Sequence, residues 1–340
     1  MAGLSSEKEV SLESGRNIFN KMNKGKYDAL PIFMDTKAAF WLIPLKLLMK
    51  NSTKDVEEEL VDNASRIHYE ELSTKIDIAF LALHGKYGED GCVQGMLELL
   101  GVPYTGSGVL ASALGMDKLA SRRVLSINGI DTPKTVVVSA PNWRENISLL
   151  LEEVSQELAF PCIVKPAREG CSTAVAKVDD GKGLPTAIEA ALLWDTKVLV
   201  EEFIEGMEVT CGVIGDDDPI ALIPSETIPT GKILSLEDKF LYGQGENKTP
   251  ARVSEKTLEK IQDTARRSFL ALSLQGYARI DMFVRKDGRI TVLEPNTLPG
   301  LTPSTVLFHQ AAAVGITPAE LIERIIALAF KAHSQKRGPL

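Results

Sequence analysis

The stretch that decides the fold is YARIDMFVRKDGRITVLEPN, residues 277–296. Asp287-Gly288 sits between runs of alternating apolar residues, the pattern of two antiparallel strands joined by a tight turn. A two-residue turn there pairs Lys286 with Arg289. Counting back, Asp281 then faces Glu294 and Arg279 faces Asn296. Side chains alternate faces along a strand, so these four share one face, and Ile280, Met282, Val284, Thr291 and Leu293 share the other. Two carboxylates directly across a strand pair repel. A cation between them removes the conflict, and oxygen ligands from Asp281, Glu294 and Asn296 suit Mg²⁺, which shares its shell with waters and phosphates. Arg279 beside them is placed to hold a phosphoryl group in transfer. The same spacing also fits a solvated face closed by an Arg–Asp–Glu salt network. The metal reading requires the two carboxylates to share one cavity, with room for an ion and no guanidinium plugging it.

Working outward, a second group supports the phosphate reading. Lys165 stands in CIVKPA among apolar strand residues, and Lys118 lies on the helix after the glycine-rich VPYTGSG. Glu201-Glu202 end another buried run, KVLVEEFI (197–204), and Glu208 follows Gly206. Lysines around a carboxylate-bound metal describe a nucleoside triphosphate site. No G-x-x-x-x-G-K-[ST] and no G-x-G-x-x-G after a strand is present, so ATP must be held by another architecture.

The first third alternates strand-like and helix-like segments: KIDIAFLAL (75–83) reads as a buried strand, CVQGMLELLG as a helix, VPYTG as a strand. That alternation marks an α/β sheet. TVVVS (135–139) and FPCIVKPA (160–167) read as further strands, and 144–158 as an amphipathic helix. Residues 226–252 are long, polar and aperiodic, in the manner of a binding loop. A helix runs from a Ser254 cap toward Gly276, with Leu258, Ile261, Ala265, Phe269 and Leu272 on one side. A last helix starts at the capping box Thr317–Glu320, with Pro318 at its first position.

The 340 residues carry a net charge of −8, with 44% hydrophobic and 25% charged residues. This is ordinary globular composition for two or three domains. The acidic balance argues against a nucleic-acid coat. No apolar run reaches the roughly 18 residues of a membrane span, and the polar N-terminus has no signal-peptide core. Four scattered cysteines read as reduced thiols, and the default location is cytoplasmic. FWLIPLKLLM is either a dimer contact or core. Trp41, Trp143 and Trp194 read as core or interface, and His68, His309 and His333 as surface or packed residues.

Several segments in this order resemble the D-alanine–D-alanine ligases of the ATP-grasp superfamily. They are SSEKEVSLESG (5–15), ALHGKYGEDGCVQGMLELLGVPYTGSG (82–108), MDKLASR (116–122), IVKPAREG (163–170), LVEEFIEGMEVT (199–210), ARID (278–281) and LEPNTLPGLTPS (293–304). The resemblance covers nearly the whole chain. It implies an α/β (α+β) three-domain ATP-grasp fold: a Rossmann-like N-terminal domain (1–107), a central domain (108–203) and a C-terminal catalytic domain (204–332), the last two sandwiching ATP. It further implies that Lys118 and Lys165 touch the phosphates and that Glu201 and Glu208 meet the adenine and ribose, helped by the backbone near Glu202 and Ile204. Asp281, Glu294 and Asn296 would bind two Mg²⁺, with Mn²⁺ able to substitute. Arg279 would steady the phosphoryl group and Lys239 would close over the γ-phosphate. Glu7 would take the ammonium of the first D-alanine beside His84, Ser172 would support that site, and Thr305 with the Gly300 backbone would hold the second carboxylate. The implied reaction joins two D-alanines through a D-alanyl phosphate for peptidoglycan precursors, in a cytoplasmic homodimer.

The chain departs from the family pattern at three places. Met1 stands where the opening strand should end, so the first strand is expected to be missing, most simply through a misplaced start. Cys171 replaces the first of two serines, and a thiol is a weak hydrogen-bonding group. Phe240 replaces a tyrosine, as in D-alanine–D-lactate ligases. Two further readings therefore stand beside the first: a D-alanine–D-lactate (or other D-alanine–D-X) ligase, and a nucleotide-binding paralogue with little catalysis.

Overall fold

The computed structural model describes residues 1–170, 173–228 and 246–335. Its strands form three antiparallel sheets. The first joins β1 (Ile32–Met34), β2 (Phe40–Leu42) and β3 (Ser65–Ile67), near the helices α1 (Lys8–Lys21) and α2 (Cys92–Leu99). Residues 75–83, expected as a strand, make only a parallel bridge from Ala79 to Tyr104. The cause lies in side chains distant in sequence. Leu81 N–H donates to Thr105 Oγ1 (3.0 Å) and, just past the segment, His84 N–H to Ser11 Oγ (2.9 Å), so side chains take donors that a neighbouring strand would use. Ala2 bridges Met34 in parallel, so Met1–Gly3 run beside β1. Within FWLIPLKLLM, Phe40, Ile43, Leu47 and Leu48 are buried in the core, while Leu45 and Met49 are exposed.

Next in the chain comes α3 (Lys118–Ile127), capped by Asp117. It leads to a four-stranded sheet of β4 (Thr135–Ser139), β5 (Cys162–Pro166), β6 (Ala176–Val178) and β7 (Lys197–Glu202), in the order β4-β7-β5-β6. Strand alternation splits its faces. Val136, Val138, Val164, Val198 and Val200 pack with Leu150 and Val154 of α4 (Ile147–Glu157) and with Ile188 of α5 (Leu184–Leu192). The in-between residues Ile163, Lys165 and Glu201 turn to the opposite face.

The third sheet has β8 (Gly206–Gly215), β9 (Ile220–Ala221), β10 (Ser225–Ile228), β11 (Glu246–Lys248), β12 (Gly276–Arg285) and β13 (Ile290–Asn296). Its path is β11-β10-β8-β12-β13, with β9 alongside β8. One face is covered by α6 (Glu255–Ala271), which starts where Ser254 Oγ accepts Thr257 N–H (3.3 Å). Ile261 and Phe269 of α6 are fully buried, each worth about 1.5–3 kcal/mol. Beyond α7 (Val306–Ala312), the Thr317–Glu320 capping box opens α8 (Pro318–Ser334) as expected.

The deciding hairpin differs from its sequence reading in two places that cancel. Arg285 N–H donates to Arg289 O (2.9 Å), so the loop is Lys286-Asp287-Gly288, three residues long, with Gly288 at φ +80°. Three-residue hairpin loops place glycine in that left-handed conformation. The longer loop shifts the register by one, pairing Val284 with Ile290 and Met282 with Val292. A bulge at Leu293 then shifts it back, restoring Asp281 opposite Glu294 and Arg279 opposite Asn296. Between turn and bulge the faces are exchanged. Thr291 lies opposite Phe283 and accepts a hydrogen bond from Arg285, and Leu293 lines the cavity described below.

Candidate active site

A cavity of about 640 Å³ lies between the four-stranded and six-stranded sheets. Lys165, Glu201 and the 202–208 connection form one wall, and Asp281, Phe283, Leu293 and Glu294 the other. A smaller cavity of about 50 Å³ adjoins it, lined by Glu7, His84, Glu89, Arg279, Asn296 and Gly300 among others. The two share Lys118, Glu169, Gly170 and Glu294.

Charges in the larger cavity are held in opposite pairs. Lys165 Nζ is 3.1 Å from Glu201, whose other oxygen meets Arg122. Burial lowers the Lys165 pKa to about 8, and the nearby Arg122 and Lys118 charges add to that against the pull of Glu201. Burial alone would raise the Glu201 carboxyl, but the Arg122 and Lys165 charges outweigh it and hold the pKa below the usual range. Lys118 Nζ donates to Glu169 O (2.6 Å) and lies 3.2 Å from Glu294.

From the described residues Asp281 accepts four hydrogen bonds. Oδ1 takes Arg279 Nε (2.8 Å) and Thr210 Oγ1 (2.7 Å), and Oδ2 takes Arg279 Nη2 (2.9 Å) and Asn296 Nδ2 (3.0 Å). Burial works against the Arg279 charge, yet Asp281 more than offsets it and raises the guanidinium pKa. Among the described residues no group of three or more His, Cys, Asp or Glu could hold a metal. The set here is two carboxylates and one amide on a single strand pair, oxygen chemistry that fits a hard divalent cation beside phosphates. The two carboxylates share one cavity as expected, but the condition that no guanidinium sit on them is not met: Arg279 forks onto both Asp281 oxygens, and a cation there would have to replace its donors.

In the smaller cavity, Glu7 precedes α1 and its Oε1 packs on the Gly170 backbone, where any Cβ would collide with it. His84 Nδ1 lies 2.9 Å from Leu298 O, an acceptor only, so Nδ1 carries the proton. Nε2 then accepts from Ser14 Oγ (2.9 Å), which in turn accepts Leu301 N–H (3.1 Å). This chain pins the 298–301 turn that carries Gly300. Burial lowers the His84 pKa to about 4, keeping the ring neutral. Glu89 accepts Gly85 N–H (2.8 Å) and Leu298 N–H (3.0 Å). Burial first, then the Glu7 charge, raises its pKa. Lys86 pairs with Glu169, tying this loop to the one after β5.

Of the residues expected from sequence, Lys118, Lys165, Glu201, Glu202, Ile204, Glu208, Asp281 and Glu294 line the larger cavity. Glu7, His84, Arg279, Asn296 and Gly300 line the smaller. Thr305 lines neither; it precedes α7, with its Oγ1 3.0 Å from Thr302 Oγ1. Ser172, Lys239, Cys171 and Phe240 lie outside the described residues. Sequence reading gave no role to Arg122, Thr210, Glu89 or Glu169. Arg122 had a signal, since it stands four residues from Lys118 and so on the same helix face.

Family models for the D-ala D-ala ligase N-terminus and C-terminus match residues 1–107 and 124–327. The chain belongs to the D-alanine–D-alanine ligase family. A D-alanine–D-alanine ligase of Geobacillus thermodenitrificans is 38% identical over 347 residues, covering 98% of this chain and 95% of that protein. One from Carboxydothermus hydrogenoformans is 36% identical over 98% and 97%. Among solved structures, the VanG D-Ala:D-Ser ligase of Enterococcus faecalis superposes with a TM-score of 0.86 at 30% identity, covering 97% of each chain. The D-alanine–D-alanine ligase of Coxiella burnetii gives 0.83 at 28% identity, covering 98% of this chain and 93% of that one. The fold is the ATP-grasp fold of this ligase family, and the protein is an ATP-dependent ligase. No helix among the described residues is long and apolar enough to cross a membrane.

Proposed function

We propose that this protein joins two D-alanines through a D-alanyl phosphate. The observation that carries this reading is the pair of adjoining cavities with Lys118 and Glu294 at their seam: one is sized for a nucleotide and holds paired lysines, the other is small and carboxylate-lined. A carboxylate does not condense with an amine in water, because its oxygen is a poor leaving group. The first D-alanine carboxylate attacks the γ-phosphorus of ATP, and ADP departs. The amine of the second D-alanine then attacks the acyl carbon, phosphate leaves, and the amine loses a proton. Lys118 and Lys165 would exchange their carboxylate partners for phosphate oxygens, positioning and neutralising the transferring group. Arg279 would face the developing charge, first on phosphorus and then on the tetrahedral oxyanion.

Glu7 would hold the first ammonium, with His84 fixing the turn whose Gly300 backbone meets the second carboxylate. Thr305 would join Gly300 there, and Ser172 would support the Glu7 end. Glu201, Glu202, Ile204 and Glu208 border the space for the adenosine, and Lys239 would meet the γ-phosphate. Asp281, Glu294 and Asn296 would hold two Mg²⁺, replaceable by Mn²⁺, which would supply charge neutralisation on the phosphates. The domain division at 1–107, 108–203 and 204–332, a homodimeric state and a cytoplasmic place in peptidoglycan precursor synthesis belong to the same reading.

The test is phosphate release by purified protein with ATP and Mg²⁺, given D-alanine alone or D-alanine with D-lactate or D-serine, across pH. Release dependent on D-alanine, with the dipeptide as main product, is expected. Depsipeptide as main product would move the assignment to the D-alanine–D-lactate reading. Absence of any D-alanine-dependent release would favour the weakly catalytic paralogue.

A further inference from the structure

Glu294 faces Asp281 only because β13 bulges at Leu293. Without the bulge, the register set by Val284–Ile290 would run on, placing Leu293 opposite Asp281. Glu294 would then turn to the core face, with Ile280. The bulge therefore decides whether the two carboxylates share a cavity.

A bulge leaves backbone groups that the ladder does not use. Here both are taken from outside the sheet, on the free edge of β13. The Leu293 carbonyl accepts Arg122 Nε (3.3 Å) and Nη2 (3.1 Å), and Val292 N–H donates to Asp131 O (2.8 Å). Arg122 is 5% exposed, and its remaining Nη1 reaches Glu201 and Thr135 Oγ1 (3.2 Å). Only a planar guanidinium offers donors in this fork; an ammonium is a compact point charge.

We propose that Arg122 is a positioning residue for this ligase. Its fork fixes the Leu293 bulge and so keeps Glu294 beside Asp281, while the same side chain anchors Glu201 and Lys165 on the facing wall. It touches no reacting atom. One guanidinium thus aligns the carboxylates of one sheet with the lysine of the other. The inference rests on the reading of Asp281 and Glu294 as metal ligands.

The experiment is calorimetric titration of the full-length protein with ADP, with and without Mg²⁺, for wild type, R122K and T135V. R122K should reduce the Mg²⁺-dependent gain in ADP affinity about tenfold or more, the scale seen when a group supporting a metal ligand is lost. Its Mg²⁺-free ADP affinity should fall by clearly less, through the Glu201–Lys165 anchor alone, a split that a general folding defect would not produce. T135V loosens the guanidinium without removing it, and should shift the Mg²⁺-dependent gain in the same direction by less. It stands as the test should R122K not fold. An unchanged gain in every variant that folds would overturn the proposal, as would an equal loss with and without Mg²⁺. Lack of D-alanine-dependent phosphate release by the wild type would instead remove the ligase reading, leaving the titration to be judged alone.

Discussion

The two cavities handle buried charge in opposite ways. On the larger side, each buried cation already has a carboxylate: Lys165 and Arg122 share Glu201, and Lys118, at the boundary, meets Glu294; Arg279, which lines the smaller cavity, is taken up by Asp281 of the larger. In the smaller, two carboxylates, Glu7 and Glu89, lie close enough that one raises the other's pKa, and the histidine beside them is neutral. The first arrangement suits a polyanion, whose oxygens can replace carboxylates around charges that are already desolvated. The second suits an ammonium, which relieves a repulsion on arrival. Neutralising an acid should therefore cost much in one cavity and little in the other.

The largest effect is expected from Glu201→Ala. It leaves Lys165 and Arg122 buried without their shared partner, which costs about 3–5 kcal/mol when one member of a buried ion pair is removed. Urea denaturation of the two proteins at pH 7 measures this. A loss below about 1 kcal/mol, the scale of exposed pairs, would place the network with ordinary surface salt bridges and remove the contrast.

A middle-sized effect is expected from His84. Its pKa is about 4 in the folded protein and near 6.5 in an unfolded chain. Above pH 6.5 the ring is neutral in both states. Between 6.5 and 4 the unfolded chain binds a proton that the folded protein refuses, so stability falls as pH falls. The loss reaches about 3 kcal/mol at the lower end, because each pH unit crossed in that window costs roughly 1.4 kcal/mol. His84→Gln should flatten this part of the stability–pH curve. A wild-type unfolding midpoint that stays level from pH 7 to 4.5 would show that the ring takes up its proton without cost.

How much of this was legible follows the same division. The nucleotide side is built from strands, where period-2 alternation fixes which residues share a face, so Lys165, Glu201 and Asp281 could be placed from the sequence. The Asp281–Glu294 pairing was also anticipated, although through two compensating departures. The turn had one residue more than its Asp287-Gly288 signal implied, and the bulge at Leu293 has no composition signature. Bulges are set by what waits at the strand edge, here Arg122 and Asp131, far away in sequence. The amino-acid side is built from loops and helix ends. Residues 75–83 look like a strand because they are apolar, but the Thr105 side chain takes the Leu81 backbone donor and the Ser11 side chain that of His84 just beyond. Glu89 acquires its importance from Glu7, 82 residues away, which no local pattern records.

Glu89→Gln is the smallest expected perturbation near pH 5, where the amide imitates the acid, and the sharpest test of the contrast at higher pH. Burial and the Glu7 charge raise the Glu89 pKa from 4.5 to about 8. Between these values the folded protein keeps a proton that the unfolded chain has lost, so this group's contribution to stability declines as pH rises through that window. The amide imitates the protonated acid. The variant should match wild type near pH 5 and become the more stable of the two by pH 9. Binding runs the other way: ionising Glu89 adds negative charge beside the proposed ammonium site, so wild-type KM for the first D-alanine should fall a few-fold from pH 7 to 9. In E89Q that fall should vanish. The variant would then gain stability and lose affinity over the same pH range, an exchange that a buried acid held only for packing would not produce. If KM stays flat in wild type while E89Q behaves identically, Glu89 serves the Gly85 and Leu298 backbone alone, and the smaller cavity's negative charge is Glu7's.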